Sequence, residues 1–260
     1  MNVIAKTFHS DPSDFVASLA KGLSVLRIFG RDRDALTLSD VAREADLSRA
    51  AARRFLLTLQ ALGYVASDGK YFTLTSKVLE LGFSYLSSKN WISVASPLME
   101  DLRNQLGESV SATVLEGSEV VYVARFRADR VLTMSVEIGT RRPAYCTAMG
   151  RVLLAHLPDT LVRQRLRESD LRAHTPQTLT DVNAIMAKID EVRAKGYALI
   201  DRELERGLVA ISVPLKTSGG KTFAALNVCR HDSYGDAASL VEMGLEPLLR
   251  TAAQISRSIV

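Results

Sequence analysis

The sequence predicts an α+β fold in two domains, a small winged helix-turn-helix followed by a larger domain built on an antiparallel sheet. Three observations predict it. The chain has 260 residues, and at roughly 150 residues per domain that length favours two. Before residue 76, three stretches with helical apolar spacing lead into β-prone runs around an Asp-Gly turn. After Trp91, alternating segments joined by short turns are interleaved with helical ones, as in a sheet of hairpins covered by helices. A hydrophobic fraction of 47% excludes a mainly disordered chain.

Residues 1–14 mix Asn, Thr, His, Ser, Asp and Pro and are expected to form a flexible tail without the apolar core of a signal peptide. Over Phe15–Phe29, Phe15, Leu19, Leu23 and Leu26 recur at helical spacing, flanked by Val16, Val25 and Ile28. Thr37-Leu-Ser-Asp40 then carries a capping signal for a short second helix, with Leu38, Val41, Ala42 and Ala45 facing inward. Ser48 can cap a third helix running to Leu62, where Ala51, Ala52, Phe55, Leu56, Leu59 and Leu62 repeat at three- and four-residue steps. Gly63 is placed to end it. Tyr64-Val-Ala66 and Lys70-Tyr-Phe-Thr-Leu74 flank Ser67-Asp-Gly69, a hairpin signal. The domain is expected over 15–75. Ser76–Ser88, without proline and rich in apolar residues, predicts a linker helix within 76–91, with some of those residues facing a partner.

The second domain is expected over 92–260. Ile92–Leu106 predicts a helix; Ser109–Leu115, Glu119–Phe126 and Val131–Glu137 predict strands. Gly139–Tyr145 predicts a loop and Thr147–His156 a helix, followed by a polar helical region and a helix over Val182–Lys195. Tyr197–Asp201, Leu208–Leu215 and Thr222–Cys229 complete the strands, and Ala237–Ile259 an amphipathic last helix.

The formal net charge of +4 names no partner by itself. Its placement is more telling: Leu47–Lys77 carries Arg49, Arg53, Arg54, Lys70 and Lys77 against Asp68 alone. Burying the apolar side of the third helix turns Ser48, Arg49, Ala50 and Arg53 outward near its N-terminal half, where recognition helices meet base edges. Arg49 and Arg53 are one turn apart, and arginine can grip guanine or phosphate. Small Ala50 permits close approach. Lys70 and Tyr71 at the wing, and Lys21 on the first helix, suit the DNA backbone. The alternative is a three-helix packing module whose basic face is solvated or docks a protein.

Machinery for catalysis is thin. There is no Gly-x-Ser-x-Gly elbow, His-Glu-x-x-His pair or phosphate-binding Gly-x-x-x-x-Gly-Lys loop. A Cys146–His156 nucleophile pair lacks a third group, and Asp201, Glu203 and Glu205 share a face only if their strand continues that far. No cofactor or metal is called for. Cys146 and Cys229 make no zinc pattern and fit a reducing cytoplasm, and no run of about 18 apolar residues predicts a membrane span.

Phe15-Val-Ala-Ser-Leu-Ala-Lys-Gly-Leu-Ser-Val-Leu26, Leu36-Thr-Leu-Ser-Asp-Val-Ala42 and Ser48-Arg-Ala-Ala-Ala-Arg-Arg-Phe-Leu-Leu57 resemble the IclR family of bacterial transcriptional regulators. Gly139-Thr-Arg-Arg-Pro-Ala-Tyr-Cys-Thr-Ala-Met-Gly-Arg151 and Gly196-Tyr-Ala-Leu-Ile-Asp-Arg-Glu-Leu-Glu-Arg-Gly-Leu208 resemble its effector domain. Ala50–Leu56 and Leu79-Glu-Leu-Gly-Phe-Ser-Tyr-Leu86 are most similar to the branch that controls protocatechuate, hydroxybenzoate and β-ketoadipate catabolism. The resemblance implies a homodimer or tetramer, a palindromic double-stranded DNA operator, a GAF-like effector domain and a small carboxylate effector. It also places Tyr145, Cys146, Thr147, Ala148, Met149, Ile200, Asp201, Leu208, Ala210, Asn227 and Cys229 at the effector. Ile200 and the bulky Met149 depart from members that bind small keto acids and favour an aromatic ring. Arg125 and Arg127 share a strand face and are either solvated or paired with a carboxylate.

Overall fold

Helical spacing, caps and turn residues build the first of two units, Met1–Ser88 and Lys89–Val260. The structure is a computed structural model that describes residues 14–30, 33–130 and 136–259; the expected tail lies outside them, apart from Asp14.

In the first unit, helix α1 (Ala17–Arg27) precedes strand β1 (Ala35–Thr37), α2 (Leu38–Glu44) and α3 (Arg49–Ala61). Strands β2 (Val65–Ser67) and β3 (Tyr71–Leu74), a 3₁₀ turn at Ser76–Val78 and α4 (Leu79–Ser87) follow. The Thr37–Asp40 capping box forms: the Thr37 hydroxyl accepts from the Asp40 amide while the Asp40 carboxylate accepts from the Thr37 amide. Asp46 takes a positive φ of 53° and lets the chain turn between α2 and α3. At the wing, Asp68 accepts from the amides of Lys70 and Tyr71, and Gly69 adopts a φ of +98° that most side chains avoid.

The wing is three-stranded, in the antiparallel order β1-β3-β2. Three residues are too short a run for alternation to reveal, so β1 was hidden in the sequence. Val25, Phe29, Leu36, Val41, Ala52, Leu56, Leu59 and Val65 form the core. Leu19 and Leu23 of α1, and Phe15 just before it, have the most regular spacing yet are exposed, and α4 buries no residue within the unit.

In the second unit, α5 (Asn90–Leu106) leads into β4 (Ser109–Glu116), β5 (Glu119–Phe126) and β6 (Arg141–Pro143). Helices α6 (Ala148–Ala155), α7 (Asp159–Glu168) and α8 (Val182–Lys195) follow, then β7 (Ala198–Asp201), β8 (Leu208–Lys216), β9 (Thr222–His231) and α9 (Ala237–Arg257). One antiparallel sheet has the order β6-β5-β4-β9-β8-β7. Both faces are covered. Trp91, Met99 and Leu102 of α5 and Leu248 and Ile255 of α9 pack on one face against Val209, Ile211, Leu226 and Val228. Helices α6, α7 and α8 cover the other, against Val120, Tyr122, Ile200, Ala210 and Cys229.

One strand differs from expectation. Of the predicted Val131–Glu137, 131–135 lie outside the described residues, and Val136 and Glu137 are not in a strand. The edge strand is β6, inside the predicted Gly139–Tyr145 loop. Pro143 is tolerated there because an edge residue can lack an N–H, and the ladder continues through Ala144, whose amide donates to Ser118.

Candidate functional sites

Ser48 caps α3, its hydroxyl accepting from the Ala51 amide. With Ala52, Leu56 and Leu59 buried, Ser48, Arg49, Ala50 and Arg53 are exposed. Phe55 is only half-buried, lying under Gly22 of α1. Arg49 and Arg53 of α3 and Lys70 of the wing line one groove of about 670 Å³, together with Thr37, Leu57 and Gln60. Lys70 Nζ lies 5.0 Å from the centre of the Tyr71 ring, so these two expected residues are neighbours. Lys21 is exposed on α1 and does not line the groove. Three cations, Arg49, Arg53 and Lys70, thus line a single groove.

In the second unit, Tyr145, Cys146, Ala148, Met149, Ile200, Leu208, Ala210 and Cys229 belong to one buried cluster between α6 and the sheet. Asn227 shares a strand face with Cys229 and is 1% exposed. Several of these side chains are already committed. The Thr147 hydroxyl donates to the Pro143 carbonyl at 3.0 Å and caps α6 by accepting from the Gly150 amide. The start of α6 is buried. Tyr145 donates its hydroxyl to the Arg172 carbonyl at 2.6 Å and stacks on His174. Burial pushes its phenol up to about 12 and the Cys146 thiol up to about 12, which keeps both protonated. The Cys146–His156 pair does not form: His156 Nδ1 contacts the Val152 carbonyl.

The structure separates Asp201 from this cluster. It lies on the opposite face of β7 from Ile200, holds Arg202 through both oxygens at 2.7 and 2.9 Å, and lines a different cleft with Lys188 and Lys195. The strand ends at Asp201, so Glu203 is not its neighbour on a face. Glu203 is buried and meets Arg151 in a two-pronged ion pair of 2.7 and 2.6 Å. Arg151 also donates to the Tyr145 carbonyl, tying the start of α6 to the segment after β7. Gly150 makes that packing possible, since a Cβ there would fall 2.1 Å from the Ala144 carbonyl oxygen.

A basic helix-and-wing groove in one unit and an enclosed apolar cluster with a buried amide in the other suit a sensor that binds nucleic acid. Family models match both units: the IclR helix-turn-helix domain over residues 18–69 and the bacterial transcriptional regulator IclR C-terminal domain over residues 83–257. The chain belongs to the IclR family. It is 39% identical over 255 residues to the Pca regulon regulatory protein of Pseudomonas putida, covering 98% of this chain and 87% of that protein. It is also 39% identical to the p-hydroxybenzoate hydroxylase transcriptional activator of Acinetobacter baylyi, covering 95% and 93%. Among solved structures, an IclR homolog complexed with 4-hydroxybenzoate from Microbacterium hydrocarbonoxydans superposes with a TM-score of 0.83 at 26% identity, over 93% of this chain and 98% of that one.

As an IclR-family member the chain is a DNA-binding transcriptional regulator and not an enzyme. Among the described residues, no helix is long and apolar enough to cross a membrane. Four polar residues of the effector-domain sheet, Ser109, Ser111, Thr113 and Ser212, are buried and escaped the sequence reading. A signal for three of them was present: Ser109-Val-Ser-Ala-Thr113 alternates polar with apolar in a strand that proves to be covered on both faces.

Proposed function

We propose that this regulator binds a palindromic double-stranded DNA operator as a dimer or larger assembly and responds to an aromatic carboxylate, controlling aromatic-acid catabolism. Arg49 and Arg53 reach base edges, Ser48 and Ala50 line the approach, and Lys70, Tyr71 and Lys21 hold the backbone. Tyr145, Cys146, Ala148, Met149, Ile200, Leu208 and Ala210 enclose the ring, with Thr147 acting through its cap and Asn227 and Cys229 presenting polar atoms. Asp201, paired with Arg202, contributes only at the rim.

One observation carries the effector class: the enclosing cluster is apolar, yet Asn227 Oδ1 is buried there without a hydrogen-bond partner among the described residues. That combination suits a ring bearing a polar substituent, and the 4-hydroxybenzoate held by a relative supports it. The effector shifts the equilibrium only if it binds one arrangement of the regulator more tightly than another. Such a difference can activate or repress.

The test is operator binding at fixed salt with 4-hydroxybenzoate, protocatechuate, β-ketoadipate, glyoxylate and pyruvate present in turn. Aromatic acids are expected to change operator affinity and raise the melting temperature. A response to glyoxylate or pyruvate alone would refute the aromatic reading. Arg49→Ala or Arg53→Ala should weaken specific binding by about tenfold or more, and undiminished binding by both would remove α3 from the interface.

A further inference from the structure

Of the basic residues gathered between Leu47 and Lys77, Arg49, Arg53 and Arg54 lie on α3 and Lys70 at the wing turn. Lys77 is placed differently. It lies in the 3₁₀ turn that leads into α4 and is not among the residues lining the Arg49–Arg53 groove. Its ammonium meets the far end of the recognition helix, where Nζ donates to the Leu62 carbonyl at 3.1 Å. The same Nζ stands 5.3 Å from the centre of the Tyr64 ring, within cation–π range.

Helix α3 ends in a glycine-capped turn. The Gly63 amide donates to the Gln60 carbonyl and the Tyr64 amide to the Leu59 carbonyl, each at 2.9 Å, with Gly63 at a φ of +80°. The next three carbonyls are taken by two residues at the base of α4. Lys77 holds that of Leu62, the Thr75 hydroxyl donates to that of Gly63 at 2.5 Å, and the Thr75 amide donates to that of Tyr64 at 2.9 Å. Thr75 Oγ1 also accepts from the Lys77 amide, so it caps the turn that carries Lys77. A Cβ on Gly63 would stand 3.5 Å from Lys77 Cδ, which lays the lysine stem across the cap. The last turn of α3 has no basic residue of its own, so Lys77 supplies the positive charge that the negative end of a helix favours.

We infer that Lys77, with Thr75, is a positioning residue: it clamps the base of α4 to the C-terminal end of α3 and so sets the angle at which Arg49 and Arg53 meet DNA, without touching DNA itself. The 13 residues of α3 span about 20 Å. A tilt of about 10° at the clamped end therefore moves Arg49, at the other end, by about 3 Å, close to the rise of one base pair. Lys77 is exposed, so replacing it leaves the core intact.

The inference rests on the two-fold operator reading above, and DNA binding by the full-length protein separates the two. The probe is the DNA that wild type selects from a randomised pool, made also as a single half-site and with its half-sites one base pair closer or farther apart. Loss of a phosphate contact would lower the slope of log affinity against log salt by about 0.9. Loss of the clamp has a different signature. Lys77→Met should keep the wild-type salt slope and half-site affinity, while a spacing preference of about tenfold or more in wild type falls close to one. Lys77→Arg can still donate to Leu62 and sit over Tyr64, and should restore the preference. A Lys77→Met protein that keeps the wild-type preference, or whose salt slope falls, overturns the clamp while the two-fold reading stands. Half-site affinity lost in Lys77→Met and not recovered in Lys77→Arg would make Lys77 a stabiliser of α3 alone, and also overturns it. So does a wild type that binds all three spacings alike. Selected DNA without paired half-sites overturns both the clamp and the two-fold reading.

Discussion

The guanidinium of Arg151 is 2% exposed and meets its needs internally, with two bonds to Glu203 and one to the Tyr145 carbonyl. A buried ion pair adds little over a well-packed apolar pair, yet losing one member strands the other charge out of water. Arg151→Met should therefore cost about 3–5 kcal/mol in urea denaturation, while Arg151→Met combined with Glu203→Leu should recover most of the loss. A double variant as unstable as the single one would show that the pair does more than neutralise itself. Sequence alone offered both residues but no reason to join them, because two helices and a strand separate them. Glu203 stood out only as one of three acids near a strand end, and the pairing follows from burial, which no local pattern encodes.

Short elements of the DNA-binding unit depend on local hydrogen bonds that titrate. The Asp40 carboxyl is held below its usual range first by the Thr37 hydroxyl, then by the Thr37 amide and by Arg43. Its folded pKa is depressed, so the stabilisation is present above the unfolded value and is lost as pH falls through the folded one. Thermal melts of the chain should show the first unit weakening below about pH 4, and Asp40→Asn should flatten that acid limb. An unchanged limb would exclude the capping box as its source. Thr37→Ala should lower stability by about 1 kcal/mol at neutral pH. This capping box, the α3 cap and the Asp68-Gly69 turn were legible because each is written within four residues. Strands β1 and β6 were not: three residues cannot display a period, and Pro143 argued for a loop until the edge position made it acceptable. The pairing of Arg125 with Ser111, Ser111 with Asn227 and Asn227 with Ser212 across β5, β4, β9 and β8 was also invisible, since it exists only once four strands are in register.

At the scale of the whole molecule, the first unit leaves apolar surface that its own core does not use. Leu19 is 62% exposed on α1, and Leu79 and Phe83 are 73% and 69% exposed on α4. Phe15, Leu19 and Leu23 line an apolar groove of about 690 Å³ that also includes Val78 and Leu81. Contiguous apolar surface of this kind marks an interaction site on a soluble protein, and a two-fold operator needs two heads held at a fixed spacing. A second copy of the chain meets both requirements, whereas a groove serving only a small ligand would not require the α4 side chains to be apolar. Leu19→Glu with Leu81→Glu should therefore reduce the sedimenting mass at micromolar concentration, and should weaken binding to a full operator far more than to a half-site. The groove shares no lining residue with the Arg49–Arg53 groove, so half-site affinity should survive and exclude misfolding as the cause. If the double variant keeps both the wild-type mass and full-operator affinity, the α1–α4 groove is not a contact between copies of the chain.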